Sequence, residues 1–88
     1  MNAPHFPKGH PLHGFETMST GGQCLAFCKQ STICDGGYVL ITDWDGCDLP
    51  TVERVNCLIG FYTPDGEFVA SIMVPYQDVL DGKITLHL

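Results

Sequence analysis

The sequence predicts a mainly β protein: a single small domain whose four to five strands form an antiparallel meander, curled into a sheet or a small barrel. At most one or two short helices are expected, and an α+β arrangement is the alternative. Short segments rich in Val, Ile, Tyr and Phe alternate with Gly, Pro and Asp turns. The 88 residues suit one domain, and an apolar share of 44% is that of a globular chain.

The chain divides by composition at about residue 22. Residues 1–22 contain three prolines and four glycines, which disfavour regular structure. We therefore predict a flexible arm over residues 1–22 and a β-rich globular domain over residues 23–88. The apolar residues that could attach this arm to the core are Phe6, Leu12, Phe15 and Met18.

The strands follow in order from residue 23. The segments "QCLAFCK" (23–29) and "GGYVLITDW" (36–44) come first, and "NCLIGFY" (56–62) and "EFVASIMV" (67–74) form the clearest hairpin. Pro64 suits position i+1 of the hairpin turn, followed by Asp65 and Gly66, and Pro75 ends the last of these strands. Apolar runs such as "YVLI" and "SIMV" predict burial on both faces.

Shorter elements complete the prediction. The segment after Pro50 can hold a helical turn, and "YQDVLDG" (76–82) is predicted to form another that ends at Gly82. The alternation in "KITLHL" (83–88) predicts a terminal strand.

The charge balance excludes several classes of partner. Ten acidic residues against four basic ones give a net charge of −6. Direct nucleic-acid binding needs a Lys/Arg footprint, and an anionic membrane surface also attracts basic chains. No signal peptide or membrane span is recognisable. We expect a cytoplasmic protein with five cysteine thiols that prefers basic protein surfaces.

The cysteines predict packing rather than a metal site. Cys24 and Cys28 lie about 13 Å apart on a strand, too far for one zinc ion or for a disulfide. A composite site would depend on histidines of the arm, which offers no rigid scaffold. Its candidate ligands are His5, His10, His13, Cys34, Cys47 and Cys57. We expect no metal and no cofactor.

No catalytic pattern is present. The sequence lacks a G-x-S-x-G elbow, a phosphate-binding loop and a dinucleotide fingerprint. Cys47 stands between Asp45 and Asp48, whose charges disfavour a thiolate nucleophile. A non-enzymatic protein is therefore expected.

The segment "TDWDGCDLP" (42–50) holds the candidate binding residues. It fails as an EF-hand loop, because counting from Asp43 the glycine falls at position 4 and position 12 is Arg54. Two interpretations remain: a strand-ending turn with Trp44 in the core, or a recognition site with Trp44 at the surface. The predicted partner-binding residues are Asp43, Trp44, Asp45 and Asp48, with Asp65 and Glu67 as a second acidic cluster.

The run "GGQCLAFCKQSTICDGGYVLITDWDGCDLP" (21–50), about a third of the chain, resembles the first half of small orphan proteins of phages and mobile elements. A glycine-led Cys strand, "DGGYVLITD" and an acidic Asp-Gly turn ending in proline carry the resemblance. Some short acidic proteins of this kind are anti-CRISPR inhibitors, which occupy the nucleic-acid groove or a subunit interface of a Cas complex. No signature motif defines them, so the resemblance assigns no residue a role.

The function expected from these observations is stoichiometric inhibition of a basic, nucleic-acid-handling protein complex in a bacterial host, such as a Cas effector. The chain would act as a monomer or a homodimer. One alternative is a thiol/His metal-binding domain. The other is a dimeric accessory subunit that pairs through a strand edge such as residues 83–88.

Overall fold

The computed structural model describes residues 6, 8–30 and 36–84. Five strands form one antiparallel sheet in the order β1-β2-β3-β4-β5. The elements are β1 (Glu16–Gly21), β2 (Cys24–Gln30), β3 (Tyr38–Asp43), a 3₁₀ turn η1 (Val52–Arg54), β4 (Asn56–Tyr62), β5 (Phe68–Pro75) and α1 (Tyr76–Leu80). The mainly β meander is confirmed, and the described sheet is open rather than closed into a barrel.

The core lies on one face of this sheet. Val39 and Ile41 of β3 and Ile59 of β4 are fully buried there, and Ile41 pairs directly with Ile59. Two elements outside the strands cover this face. The segment before β1 contributes Leu12 and Phe15, and α1 contributes Tyr76 and Val79. An open sheet of this size can therefore bury a core without closing.

The described part of the predicted arm, residue 6 and residues 8–22, does not stand apart from the sheet. The boundary predicted at residue 22 falls inside the β1–β2 hairpin, in which Met18 pairs with Ala26 and Gly21 with Cys24. Leu12 and Phe15 are buried, as the sequence allowed, and Met18 stays partly exposed. No proline or glycine lies between Phe15 and Thr20, so these residues are free to form a strand. Gly21 and Gly22 mark the turn between β1 and β2 rather than a domain boundary.

The expectation of two-sided burial is wrong for "SIMV". Ser71, Ile72 and Met73 are exposed, and only Val74 packs against the core. The reason is position: β5 is an edge strand that pairs only with β4 among the described strands. An apolar run cannot distinguish a central strand from an exposed edge.

The short elements agree with the sequence more closely. The helical turn after Pro50 is η1, and the second one is α1, after which Gly82 takes φ +74. Lys83 and Ile84 are not in a strand. Residues 85–88 of the predicted terminal strand lie outside the described residues.

Candidate functional site

The last residue of β3 and the loop that follows it, residues 43–50, will be called the acidic loop. It begins with a turn in which the Gly46 N–H donates to the Asp43 carbonyl at 3.0 Å. The Asp43 carboxylate oxygen Oδ1 accepts the N–H groups of Asp45 at 3.1 Å and Gly46 at 3.2 Å. Gly46 has φ +81, a conformation that glycine adopts without strain. The predicted strand-ending turn is therefore present.

Asp43 is not available to a partner. Only 1% of its surface is exposed, because strand alternation places it on the core face after Val39 and Ile41. Its second oxygen, Oδ2, lies 3.5 Å from Nη1 of Arg54. The predicted partner-binding role of Asp43 is corrected: its carboxylate holds the turn and pairs with Arg54.

A disulfide between Cys24 and Cys47 fixes the acidic loop to the start of β2, with the two Cα atoms 4.4 Å apart. Beside it, the Leu25 N–H donates to the Cys47 carbonyl at 2.7 Å. The Asp43 N–H also donates to the Asp48 carbonyl at 2.8 Å. The loop is thus linked to β2 at Cys47 and closed internally by the hydrogen bond between Asp43 and Asp48.

The disulfide corrects the expectation of five thiols, which followed from the predicted cytoplasmic location. That location stays a prediction. Cys24 and Cys28, on one strand, do not pair with each other, as predicted, but Cys24 has a partner in the acidic loop. The pairing of Cys24 with Cys47 could have been predicted from the antiparallel meander. Because β2 and β3 are antiparallel, the first residue of β2 and the residues after β3 meet at one end of the sheet.

Trp44 points outward, with 51% of its surface exposed. The Arg54 guanidinium carbon lies 5.8 Å from the centroid of the indole ring, within the range of a cation–π contact. Asp45 and Asp48, on either side of Cys47, are both exposed. The acidic loop therefore presents one aromatic side chain and two carboxylates at the surface.

Asp65 and Glu67 are exposed in the β4–β5 turn. The Gly66 N–H donates to the Thr63 carbonyl at 2.9 Å, and the Glu67 N–H donates to Thr63 Oγ1 at 3.0 Å. Pro64 occupies position i+1 of this turn, as predicted.

The two acidic clusters do not come together. The acidic loop lies beside Cys57 at the start of β4, since Cys57 pairs with Asp43. The turn that carries Asp65 and Glu67 follows Tyr62 at the other end of that strand. At about 3.3 Å per residue, these two ends of β4 are roughly 17 Å apart.

The two free thiols in the described part of the chain are not activated. Cys28 and Cys57 are free. Burial raises the pKa of the Cys57 thiol to about 11. Burial, and then the charge of Glu16, raise the pKa of Cys28. Both side chains are therefore protonated at neutral pH, which is the opposite of what a nucleophile needs.

The histidines of the first segment take part in local hydrogen bonds. His10 Nδ1 accepts the Leu12 N–H at 3.0 Å, and His13 Nδ1 donates to the Phe6 carbonyl at 2.8 Å. Across residues 6, 8–30 and 36–84, no three His, Cys, Asp or Glu side chains are grouped so that they could hold a metal ion. His5 and Cys34 lie outside that part of the chain.

Fold and loop together define a small open β-meander that carries a cross-linked acidic loop. Comparison of the chain with protein-family models, curated proteins and solved structures gave no significant match. In the described part of the chain, no helix has the length and apolar character to cross a membrane.

Proposed function

We propose that the protein is a non-enzymatic binding domain that inhibits a basic, nucleic-acid-handling complex of the anti-CRISPR target type, such as a Cas effector. The observation that carries the proposal is the exposure of Trp44 beside Asp45 and Asp48 on the acidic loop. A large aromatic side chain surrounded by polar groups is the usual anchor of a protein interface.

The way the loop is held supports recognition. It is tied to β2 by the Cys24–Cys47 disulfide and by the Leu25–Cys47 hydrogen bond. A loop already fixed in one conformation loses little entropy when it binds. The exposed side chains therefore contribute to affinity without first having to be ordered.

The local charges support a basic partner. Arg54 is engaged with Asp43, so the carboxylates that the loop offers to another protein are those of Asp45 and Asp48. The net charge of −6 adds a long-range attraction toward Lys/Arg-lined surfaces. Such surfaces line nucleic-acid grooves, and an occupied groove cannot bind its nucleic acid.

The test uses a panel of purified, guide-loaded Cas effector complexes and a gel-shift assay of their target DNA. An equimolar amount of the protein is expected to abolish the shift for at least one complex. The Trp44→Ala variant is expected to abolish the shift only at a concentration at least about tenfold higher, because an aromatic anchor contributes roughly 2 kcal/mol or more to binding. The double variant Asp45→Lys/Asp48→Lys should lose potency and salt dependence.

The matched control is Asp65→Lys/Glu67→Lys, which changes the net charge equally. The proposed binding surface leaves out these two residues, predicted from the sequence as a second acidic cluster, because they lie at the far end of β4. The control variant is expected to keep most of the potency. Equal losses in the two double variants would show that only overall charge matters. Absence of inhibition across the panel, or full potency of Trp44→Ala, would contradict the proposal.

The assay is run in oxidised and reduced buffer. The proposed place of action is the bacterial cytoplasm, where disulfides are rare. Reduction is expected to weaken inhibition, because the acidic loop then loses its covalent link to β2 and must be ordered on binding.

A further inference from the structure

The outer edge of β5 is apolar, exposed and uncharged. Phe68, Val69, Ile72 and Met73 are large hydrophobic residues with 43% to 61% of their surface exposed. Between Glu67 and Asp78 the chain has no charged side chain. Edge strands are normally protected from pairing by charges, especially lysine, and β5 has none.

Two irregularities limit the regular part of the edge. The register between β4 and β5 shifts between Phe61 and Tyr62, which leaves Val69 as an extra residue in β5. Pro75 ends the strand and lacks an N–H group. Five residues, 70–74, remain as an unbroken template for a further strand.

The hydrogen bond after the strand shows which backbone groups point outward. The Tyr76 N–H donates to the Val55 carbonyl at 2.7 Å, so Tyr76 faces β4. Backbone groups alternate along an antiparallel strand, and Val74, Ile72 and Ala70 therefore face β4 as well. The N–H and C=O groups of Ser71 and Met73 then point away from the sheet. The backbone nitrogen of Pro75, which carries no hydrogen, also lies on this outer side. This is the position in which a strand tolerates proline.

We propose that β5 pairs with the β5 strand of a second copy of this chain, antiparallel and centred on Ile72. In this register Ser71 of each copy exchanges both backbone hydrogen bonds with Met73 of the other, which gives four bonds across the two-fold axis. The two five-stranded sheets then form one continuous sheet of ten strands.

A second copy fits this edge better than a charged partner does. Each chain carries −6, so two copies repel unless they meet where charge is absent, and β5 is such a place. In the proposed register Ile72 lies beside Ile72 of the second copy on one face, flanked by Ala70 and Val74. Ser71 and Met73 meet on the other face. No like charges are brought together, and the exposed side chains of Ile72 and Met73 become covered by the second copy.

The test is sedimentation equilibrium of the purified full chain at two concentrations that differ about a hundredfold. We expect a reversible monomer–dimer equilibrium. Ile72→Lys places two like charges opposite each other across the axis and should weaken dimerisation at least about tenfold. Ser71→Pro removes only an outward N–H group and should also favour the monomer.

The matched control is Met18→Lys on β1, the opposite edge of the sheet. Met18 is 38% exposed and Ile72 is 43% exposed, so both substitutions place one lysine at a similarly exposed position. Met18→Lys should leave dimerisation unchanged. Far-UV circular dichroism confirms that each variant is folded. A wild-type protein that stays monomeric at the higher concentration, or equal weakening by Met18→Lys, would overturn the proposal. The inference does not depend on the inhibitor function, because it uses a different surface.

Discussion

At the scale of single residues, Val55 has the least favourable backbone conformation. It is the one non-glycine residue with a positive φ among the described residues, at φ 66 and ψ −72. A β-branched side chain in this region costs on the order of 1–3 kcal/mol. Its carbonyl accepts the N–H of Tyr76, so the strained residue lies where η1, β4 and α1 meet.

Replacing Val55 by glycine is expected to stabilise the protein. The substitution relieves the positive-φ strain and loses little packing, because Val55 is exposed. Glycine also raises the entropy of the unfolded chain, which costs about 0.5–1 kcal/mol of stability. The net expectation is a rise of roughly 1 kcal/mol in the free energy of unfolding, measured by urea titration. Val52→Gly is the control, since Val52 is similarly exposed but lies in η1 without a positive φ. It should lower stability, and an equal loss in Val55→Gly would contradict the strain argument.

At the scale of elements, the sequence predicts β2 to β5 well because turn chemistry is local, but it places β1 in the arm. Residues Thr63–Gly66 form a turn that depends on Pro64 and on Gly66 at φ +89, and both residue types can be recognised in the four-residue sequence. The exposure of β5 was not predictable in the same way, since it depends on whether another element covers that strand. Asp43 and Trp44 show the same limit. Alternation assigns them to opposite faces, yet only the packed fold shows that Asp43 is buried and Trp44 exposed.

The Cys24–Cys47 disulfide joins β2 to the acidic loop, a contact between elements that local sequence patterns do not reveal. Its removal should lower stability strongly. It closes a loop with a sequence separation of 23 residues, for which the chain-entropy model gives about 3 kcal/mol. We expect Cys24→Ala/Cys47→Ala to lower the free energy of unfolding by that amount. Hydrogen exchange at Trp44–Asp48 should also become faster, because the acidic loop loses its link to β2.

Cys28→Ala is the control for the disulfide variant. Cys28 lies on the same strand as Cys24 and is a free, half-buried thiol, so its truncation should cost much less than the disulfide. Peptide mapping after thiol blocking identifies the Cys24–Cys47 cross-link directly. Equal stability in oxidised and reduced buffer would mean that the loop is held by its hydrogen bonds alone.

At the scale of the whole molecule, the open sheet depends on what covers its core face. The strands supply Val39, Ile41 and Ile59, and the segment before β1 supplies Leu12 and Phe15. Phe6 packs edge to face against Phe27, with ring centroids 5.4 Å apart. A composition rich in proline and glycine therefore does not make this segment dispensable. It lacks regular structure, but its apolar side chains close the core.

Leu12→Ala tests this dependence. Leu12 is fully buried, and such truncations cost about 2–5 kcal/mol, a large part of the roughly 5–15 kcal/mol that stabilises a domain. Urea unfolding followed by circular dichroism should show an earlier midpoint with an unchanged m-value, because the segment unfolds together with the sheet. Met18→Ala, partly exposed on β1, should cost much less. If the two variants are equally stable, residues 8–15 form a loosely attached arm, and the sheet must hold its core without them.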